Sequence, residues 1–372
     1  MKFLIVAQRF HTNLYYRTKA LQDAGHSVRI VVLYKGKSEF YEGLKPMQVK
    51  LSMFSRFLTK LQAFFKKVEL KSAFELRIQS PNKEFKKIIS IYNPDVILLK
   101  AYQNALAIKT LRTAKKYKIK VLMLTQTPYA HIKGSEFLFR LNIKLFKFLK
   151  VHAYITPIKL NYEVFKNFGI ENVFYLPFVY PSEISVIKKP KQEIKILSVG
   201  KFQKRKEQIL LLKVFNTLKK ENYSLKLCLI GEAVNTKYIK TLYNFIKKNN
   251  LSDDVCIETN MPYDRIKKEY SKHDLFVLPA YAEPAAYSPV EAFANGLPVI
   301  CSDENGTRCY IEESKNGYVF KAKNEGDLSE KIKLCISDKE KLLKMKENAL
   351  ISAKKNHNPA VFEQAIGKIL LK

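Results

Sequence analysis

Two carboxylates eight residues apart, Glu283 and Glu291, stand in the stretch YAEPAAYSPVEAFANGLPVICS, residues 281–302. An apolar run, Leu275-Phe276-Val277-Leu278, leads into it and closes at Pro279; such a run predicts a buried strand. Ser288-Pro289-Val290-Glu291 has the form of a helix start, with Ser at the N-cap, Pro at the first helical position and Glu at the third. Asn295-Gly296 followed by Pro298 predicts the stop. A strand therefore feeds a loop carrying Glu283, and that loop feeds a short helix from Ser288. The free N–H groups and positive dipole end of a helix start suit a phosphate, and a carboxylate on each side would accept hydrogen bonds from sugar hydroxyls. The same pattern fits a plainer arrangement, in which Glu291 closes a capping box on Ser288 and Glu283 is a solvated loop acid.

The cations that such an anion would need lie upstream. Ile194–Val199 reads as a strand, and it ends in Gly200-Lys201-Phe202-Gln203-Lys204-Arg205-Lys206. By itself this is either an exposed basic turn or an anion trap. Two further strand ends, Leu229-Ile230-Gly231-Glu232 and Thr259-Asn260-Met261-Pro262, carry turn residues at comparable positions.

The elements that would position these groups alternate. From Ile194 the chain reads as strand, helix to Lys220, strand Leu225–Ile230, helix Tyr238–Asn249, strand Val255–Glu258, helix from about Tyr263, then the stretch described above, with Pro298–Cys301 and Tyr318–Phe320 as later strands and a helix from Glu325. That alternation predicts a parallel sheet covered on both faces. The first half repeats the theme: Lys2–Ala7 strand, a loop Gln8–Asn13, a helix to about Ala24, Val28–Leu33, Asp95–Leu99, a helix to about Tyr117, Lys118–Leu124 and Ala153–Thr156. Without a GxGxxG after the first strand, a nicotinamide or flavin site there is not expected. Two basic amphipathic helices, Leu51–Val68 and Phe137–Leu149, carry the stripes Phe54, Phe57, Leu58, Leu61, Phe64, Phe65, Val68 and Phe137, Leu141, Leu145, Phe148; each is either an interfacial helix or a helix docked on the core. The expected domains are 1–178, a linker 179–192 containing Lys188-Lys189-Pro190-Lys191, a second domain 193–355, and a final helix in 356–372 packing back on the first domain.

Composition narrows the partners. The net charge is +32. Residues 1–178 hold 32 Lys+Arg against 10 Asp+Glu, and the remainder 34 against 24, so the excess sits in the first half. Such a charge favours phosphorylated substrates, an anionic membrane leaflet or nucleic acid. No run reaches the roughly 18–20 apolar residues of a membrane-spanning helix, and the opening MKFLIVAQRF is too short in apolar residues for a signal peptide. Five cysteines without a CxxC pair predict a reduced, cytoplasmic protein. There is no DxD triad, and Asp253-Asp254 is an isolated pair, so no metal ligand set is expected.

The E-x7-E spacing after a strand ending in Pro, followed by EAFANGLPVI, resembles the signature of the family 4 retaining glycosyltransferases. Gly200-Lys201 with Lys206 resembles that family's Gly-Arg…Lys pair on the donor diphosphate. Lys201 stands where Arg is usual, which replaces a bidentate fork by a point charge, and Arg205 would compensate. The resemblance implies a GT-B fold, α/β, with two doubly wound parallel-sheet domains facing across a cleft. It implies transfer of a hexose-type sugar from a UDP- or GDP-linked donor with retention, without cofactor or metal. The basic, aromatic first half points to a lipid-linked or cell-surface glycan as acceptor, reached from the cytoplasmic face of the membrane, with no nucleic acid involved. Glu283, Lys206 and Lys201 are then the catalytic candidates. Gly200, Arg205, Gly231, Met261, Ala285, Ala286, Tyr287, Ser288 and Glu291 are donor contacts, with Glu283 on the sugar and Glu291 on the ribose. The family usually has Phe-Gly where Ala285-Ala286 stands; Ala there would restrict the backbone. Arg9, His11, Asn13, Gln126, Tyr129 and His131 are acceptor candidates. A GT-B nucleotide-sugar epimerase and an electrostatic nucleic-acid binder are the alternatives; an epimerase would act on donor alone, and a nucleic-acid binder would show steep salt dependence.

Overall fold

Aliphatic runs with no polar alternation make the strands, and each run is buried from end to end: Phe3–Ala7, Val96–Leu99, Leu275–Leu278 and Val299–Ser302. Parallel strands covered on both faces need that composition. The computed structural model describes residues 1–35, 40–64, 78–101, 104–126, 136–183 and 186–371. They fall into two units, Met1–Leu176 with Phe362–Lys372, and Pro177–Val361.

The first unit runs β1 (Lys2–Arg9), α1 (Thr12–Asp23), β2 (Ser27–Tyr34), β3 (Met47–Gln48), α2 (Met53–Phe64), α3 (Glu84–Tyr92), β4 (Val96–Lys100), α4 (Ala105–Tyr117), β5 (Lys120–Leu124), α5 (Glu136–Phe148), β6 (Ala153–Thr156), α6 (Lys159–Asn167) and β7 (Val173–Tyr175). The sheet order is β3-β2-β1-β4-β5-β6-β7, all parallel, with Val6 opposite Val31 on one side and Leu99 on the other. Two expectations change here. Strand β1 extends through Arg9, so Arg9 is the last strand residue and not a loop residue, and Asn13 lies inside α1. Among the described side chains of α5, Ile143 and Phe146 are buried, followed by Leu149, while Leu141 and Phe148 of the expected stripe are exposed; the side chain of Phe137 lies outside the described ones. That helix is apolar over so much of its circumference that spacing alone left the phase open, and contact with the core settled it.

The second unit runs β8 (Ile194–Val199), a 3-10 turn (Lys204–Lys206), α7 (Gln208–Lys220), β9 (Leu225–Gly231), α8 (Thr236–Lys248), β10 (Val255–Thr259), α9 (Tyr263–Tyr270), β11 (Leu275–Leu278), α10 (Ser288–Ala294), β12 (Val299–Ser302), β13 (Gly317–Phe320), α11 (Glu325–Ile336), α12 (Lys339–Asn356) and the start of α13 (Pro359–Leu370). Its order is β10-β9-β8-β11-β12-β13. The chain moves outward from β8 to β10, then returns to the other side of β8. The loops after β8 and β11 therefore diverge from neighbouring strand ends, which is where doubly wound sheets bind ligands. The first part of the expected linker packs into this unit. Val179 and Tyr180 are buried, the Tyr287 hydroxyl donates to Val179 O at 2.6 Å, and Tyr180 N donates to His357 O at 2.8 Å. From Phe362 onward, α13 belongs with the first unit, where Lys120 Nζ donates to Leu370 O at 2.7 Å.

Candidate functional site

The loop after β8 is held open by glycine. A Cβ on Gly231 would lie 2.1 Å from Gly200 O, so the ends of β8 and β9 can touch only if position 231 has no side chain. Gly200 N donates to Ile230 O, and Phe202 N to Glu232 O. Beyond this contact the chain makes the 3-10 turn Lys204–Lys206 and reverses at Glu207, whose φ is 50°. Gln208 then reaches back to Gly200 O and Lys201 O at 3.3 and 3.1 Å. This closed loop presents Arg205 and Lys206 inward, with the Lys206 stem along Gly200.

The loop after β11 meets it. Tyr281 N donates to Arg205 O at 3.0 Å. Ala282 takes a positive φ of 47°, its N–H donating to Glu304 Oε2 at 2.9 Å. Glu283 is braced on both sides, by Glu283 N to Glu304 O and Gly306 N to Glu283 O. So placed, Glu283 Oε2 accepts from Lys206 Nζ at 2.6 Å and from Arg205. Glu283 and Lys206 are buried and Arg205 is half-exposed. Burial would raise the Glu283 carboxyl, but the charges of Lys206 and Arg205 outweigh it and hold it below the usual carboxylate range.

Several sequence expectations are corrected. Ser288 forms no capping box: its hydroxyl donates to Val199 O at 3.1 Å, and Glu291 turns elsewhere. At seven residues α10 is short, so its dipole is small, and the cations of the β8 loop are the stronger anion determinant. Ala285 and Ala286 do not take positive φ; Ala282 does, so the two alanines carry no backbone strain. Lys201 is paired with Glu232 at 2.7 Å and is 41% exposed, apart from the Glu283 cluster in its hydrogen bonding.

Glu291 is 4% exposed. Its two oxygens accept from the hydroxyls of Tyr263 and, at 2.7 Å, Tyr270. Burial pushes this carboxyl up, against the pull of the two hydroxyls. Neither tyrosine was foreseen; the available signal was that Tyr263 directly follows the Met261-Pro262 loop. That loop is tied to the β9 end by Asn260 N to Gly231 O and Ala233 N to Asn260 Oδ1, each near 3 Å, which leaves Met261 partly exposed beside it.

In the first unit, Arg9, His11 and Asn13 stand at or after the C-terminal end of β1 and Gln126 follows that of β5, and Asn13 accepts from Lys100 at the end of β4. Tyr129 and His131 lie outside the described residues. Among the described residues, no group of three His, Cys, Asp or Glu side chains is gathered to hold a metal. No helix among them is long and apolar enough to cross a membrane.

Residues 180–351 match the family model for glycosyl transferases group 1. The paired parallel-sheet units are those of the GT-B fold. A crystal structure of Anabaena Alr3699/HepE in complex with UDP superposes with a TM-score of 0.75 at 14% identity, covering 100% of this chain and 99% of that one. Among curated proteins, the chain is 26% identical over 196 residues to the poly(glycerol-phosphate) alpha-glucosyltransferase of Bacillus subtilis, 52% of this chain and 28% of that protein. It is 41% identical over 76 residues, 20% of each chain, to the N,N'-diacetylbacillosaminyl-diphospho-undecaprenol alpha-1,3-N-acetylgalactosaminyltransferase of Campylobacter jejuni. The chain thus spans less than a third of the length of either curated relative.

Proposed function

We propose that this protein is a retaining glycosyltransferase. It moves a hexose-type sugar from a UDP- or GDP-linked donor to a lipid-linked or cell-surface glycan acceptor, without metal. The observation that carries the reading is the meeting of Arg205 and Lys206 with Glu283 at the switch point of the second sheet. Two cations held against one carboxylate are a preorganised anion site. A diphosphate brings more charge than Glu283 and takes over the cations. Glu283, kept ionised, then accepts from sugar hydroxyls. As the bond between sugar and phosphate breaks, negative charge grows on the leaving oxygen, and Arg205 and Lys206 stabilise it without reorganising.

Glu291 contacts the ribose in this reading when a ribose hydroxyl replaces that of Tyr263, one donor exchanged for another. The family match over 180–351 and the UDP-bound neighbour support the donor class; the names of the curated relatives support a phosphate-bearing or lipid-linked acceptor. Exposed Met53, Phe54 and Phe57 beside Arg56 on α2 support a peripheral seat on the cytoplasmic membrane face.

A thermal-shift screen over UDP, GDP and their sugars tests the proposal. Saturable stabilisation by one nucleoside diphosphate, lost in Lys206→Ala, is expected. No stabilisation by any of them would contradict it.

A further inference from the structure

Lys100 is the last residue of β4 and stands opposite Ala7 of β1. Those two strands flank the switch point of the first sheet, since the chain goes from β1 outward to β3 before returning to β4. Lys100 Nζ donates to Asn13 Oδ1 at 2.5 Å. Arg17 lies one turn further along the same face of α1, buried, with a donor to Leu176 O at 3.1 Å and its guanidinium 5.1 Å from the centre of the Phe362 ring. Among the described residues Lys100 has one polar partner, a neutral amide, and one close charge, of its own sign. Burial and the Arg17 charge push it down to about 7. The first turn of α1 beside it holds no acidic residue.

An ammonium kept at this strand edge, without a carboxylate among the described residues and next to a guanidinium, costs the fold stability. An external anion would offset that cost and hold the ammonium charged: Lys100 can contact it and Arg17 can attract it through a low-dielectric wall. A neutral sugar would need no such charge.

We propose that Lys100, Asn13 and Arg17 form a phosphate-binding subsite at the C-terminal edge of the first sheet, occupied by the phosphate or diphosphate group of the acceptor. That the phosphate belongs to an acceptor rests on the glycosyltransferase reading; the subsite itself does not. It selects acceptors by their anionic group, through Lys100 as the contact and Asn13 as the amide that fixes its direction.

Calorimetric titration of the full chain with inorganic phosphate, glucose 1-phosphate, glucose and geranyl diphosphate tests this in wild type, Lys100→Gln, Lys100→Arg and Lys206→Ala. Lys100→Gln should weaken the phosphate and glucose 1-phosphate events by about tenfold or more, the size of one lost charged hydrogen bond. Lys100→Arg should restore most of the affinity, and Lys206→Ala should leave this event intact. Glucose should not bind there. Tighter binding of geranyl diphosphate than of glucose 1-phosphate would make a lipid carrier the source of the phosphate, and the reverse order a phosphorylated sugar. Unliganded Lys100→Gln should melt higher than wild type, which separates a lost contact from a damaged fold. Phosphate affinity unchanged in Lys100→Gln, or lost only in Lys206→Ala, would overturn the proposal. UDP titrations keep the two readings apart. UDP binding with phosphate indifferent to Lys100 removes the subsite alone, and phosphate dependent on Lys100 without UDP binding removes the glycosyltransferase reading alone.

Discussion

Lys206 Nζ lies 2.6 Å from Glu283 Oε2, and both side chains are buried. The two residues are 77 positions apart in the chain and come from the loops that follow two neighbouring strands of the second sheet. Removing one partner of a buried ion pair leaves an uncompensated charge, which is costlier than the pair itself is worth.

Glu283→Ala should therefore lower unfolding stability by about 3 kcal/mol, since Arg205 and Lys206 are left facing each other. The same change removes the internal competitor for those cations, so UDP affinity should hold or rise while sugar transfer falls. Urea denaturation, UDP titration and turnover measured on one preparation check this. A variant that loses UDP affinity and keeps turnover would contradict the assignment of Glu283 to the sugar.

Lys201 should matter less. Its salt bridge to Glu232 is well exposed, and such pairs contribute at most about 1 kcal/mol. Lys201→Ala is expected to leave stability nearly unchanged and to reduce turnover by no more than about tenfold, roughly one weak charge contact. A loss as large as that of Lys206→Ala would place Lys201 on the diphosphate.

Gly231→Ala puts a methyl group 2.1 Å from Gly200 O. The backbones of both loops must move apart, at a cost of about 1–3 kcal/mol. The loop carrying Arg205 and Lys206 moves with them, so UDP affinity should fall as well. A fully stable variant would mean that the close approach of the two loops is not required.

His357 sets an acid limit for the second unit. Its ring Nδ1–H donates to Phe178 O at 2.7 Å, the ring is stacked by Phe293 and edged by Tyr310, and it is pushed by burial down to about 4. The unfolded chain takes up this proton near the ordinary histidine value of 6.5. The unfolded state thus binds more protons between pH 6.5 and 4, and stability falls across that window as pH is lowered, by about 3 kcal/mol in all. Urea midpoints against pH should show this slope in wild type and lose it in His357→Gln.

Much of the second sheet was readable because buried parallel strands repeat one pattern: an apolar run, then a glycine or proline. Gly200, Gly231 and Pro279 each mark a strand end for that reason. The cation cluster was readable in part, as Arg205 and Lys206 stand together in the chain. Their partner was not, because nothing local in the sequence says which of two glutamates turns toward them. Glu291 looked like a capping residue by its place after Ser288-Pro289, yet its bonds go to Tyr263 and Tyr270, 28 and 21 residues away. Nothing local in the sequence marks Lys100, which stands one residue beyond the expected strand Asp95–Leu99. Its meaning comes from Asn13 and Arg17, which only the fold brings beside it.

The central claim is that Arg205 and Lys206 catch the diphosphate of a nucleotide sugar. The most direct measurement is UDP and GDP affinity by calorimetry in wild type, Arg205→Ala, Lys206→Ala and the double variant, with turnover of the matching nucleotide sugar alongside. Affinity should fall in each single variant and further in the double, with turnover down by about 10²–10³ in Lys206→Ala, as for other lost donors to a developing anion. Wild-type affinity and turnover in the double variant would contradict the claim.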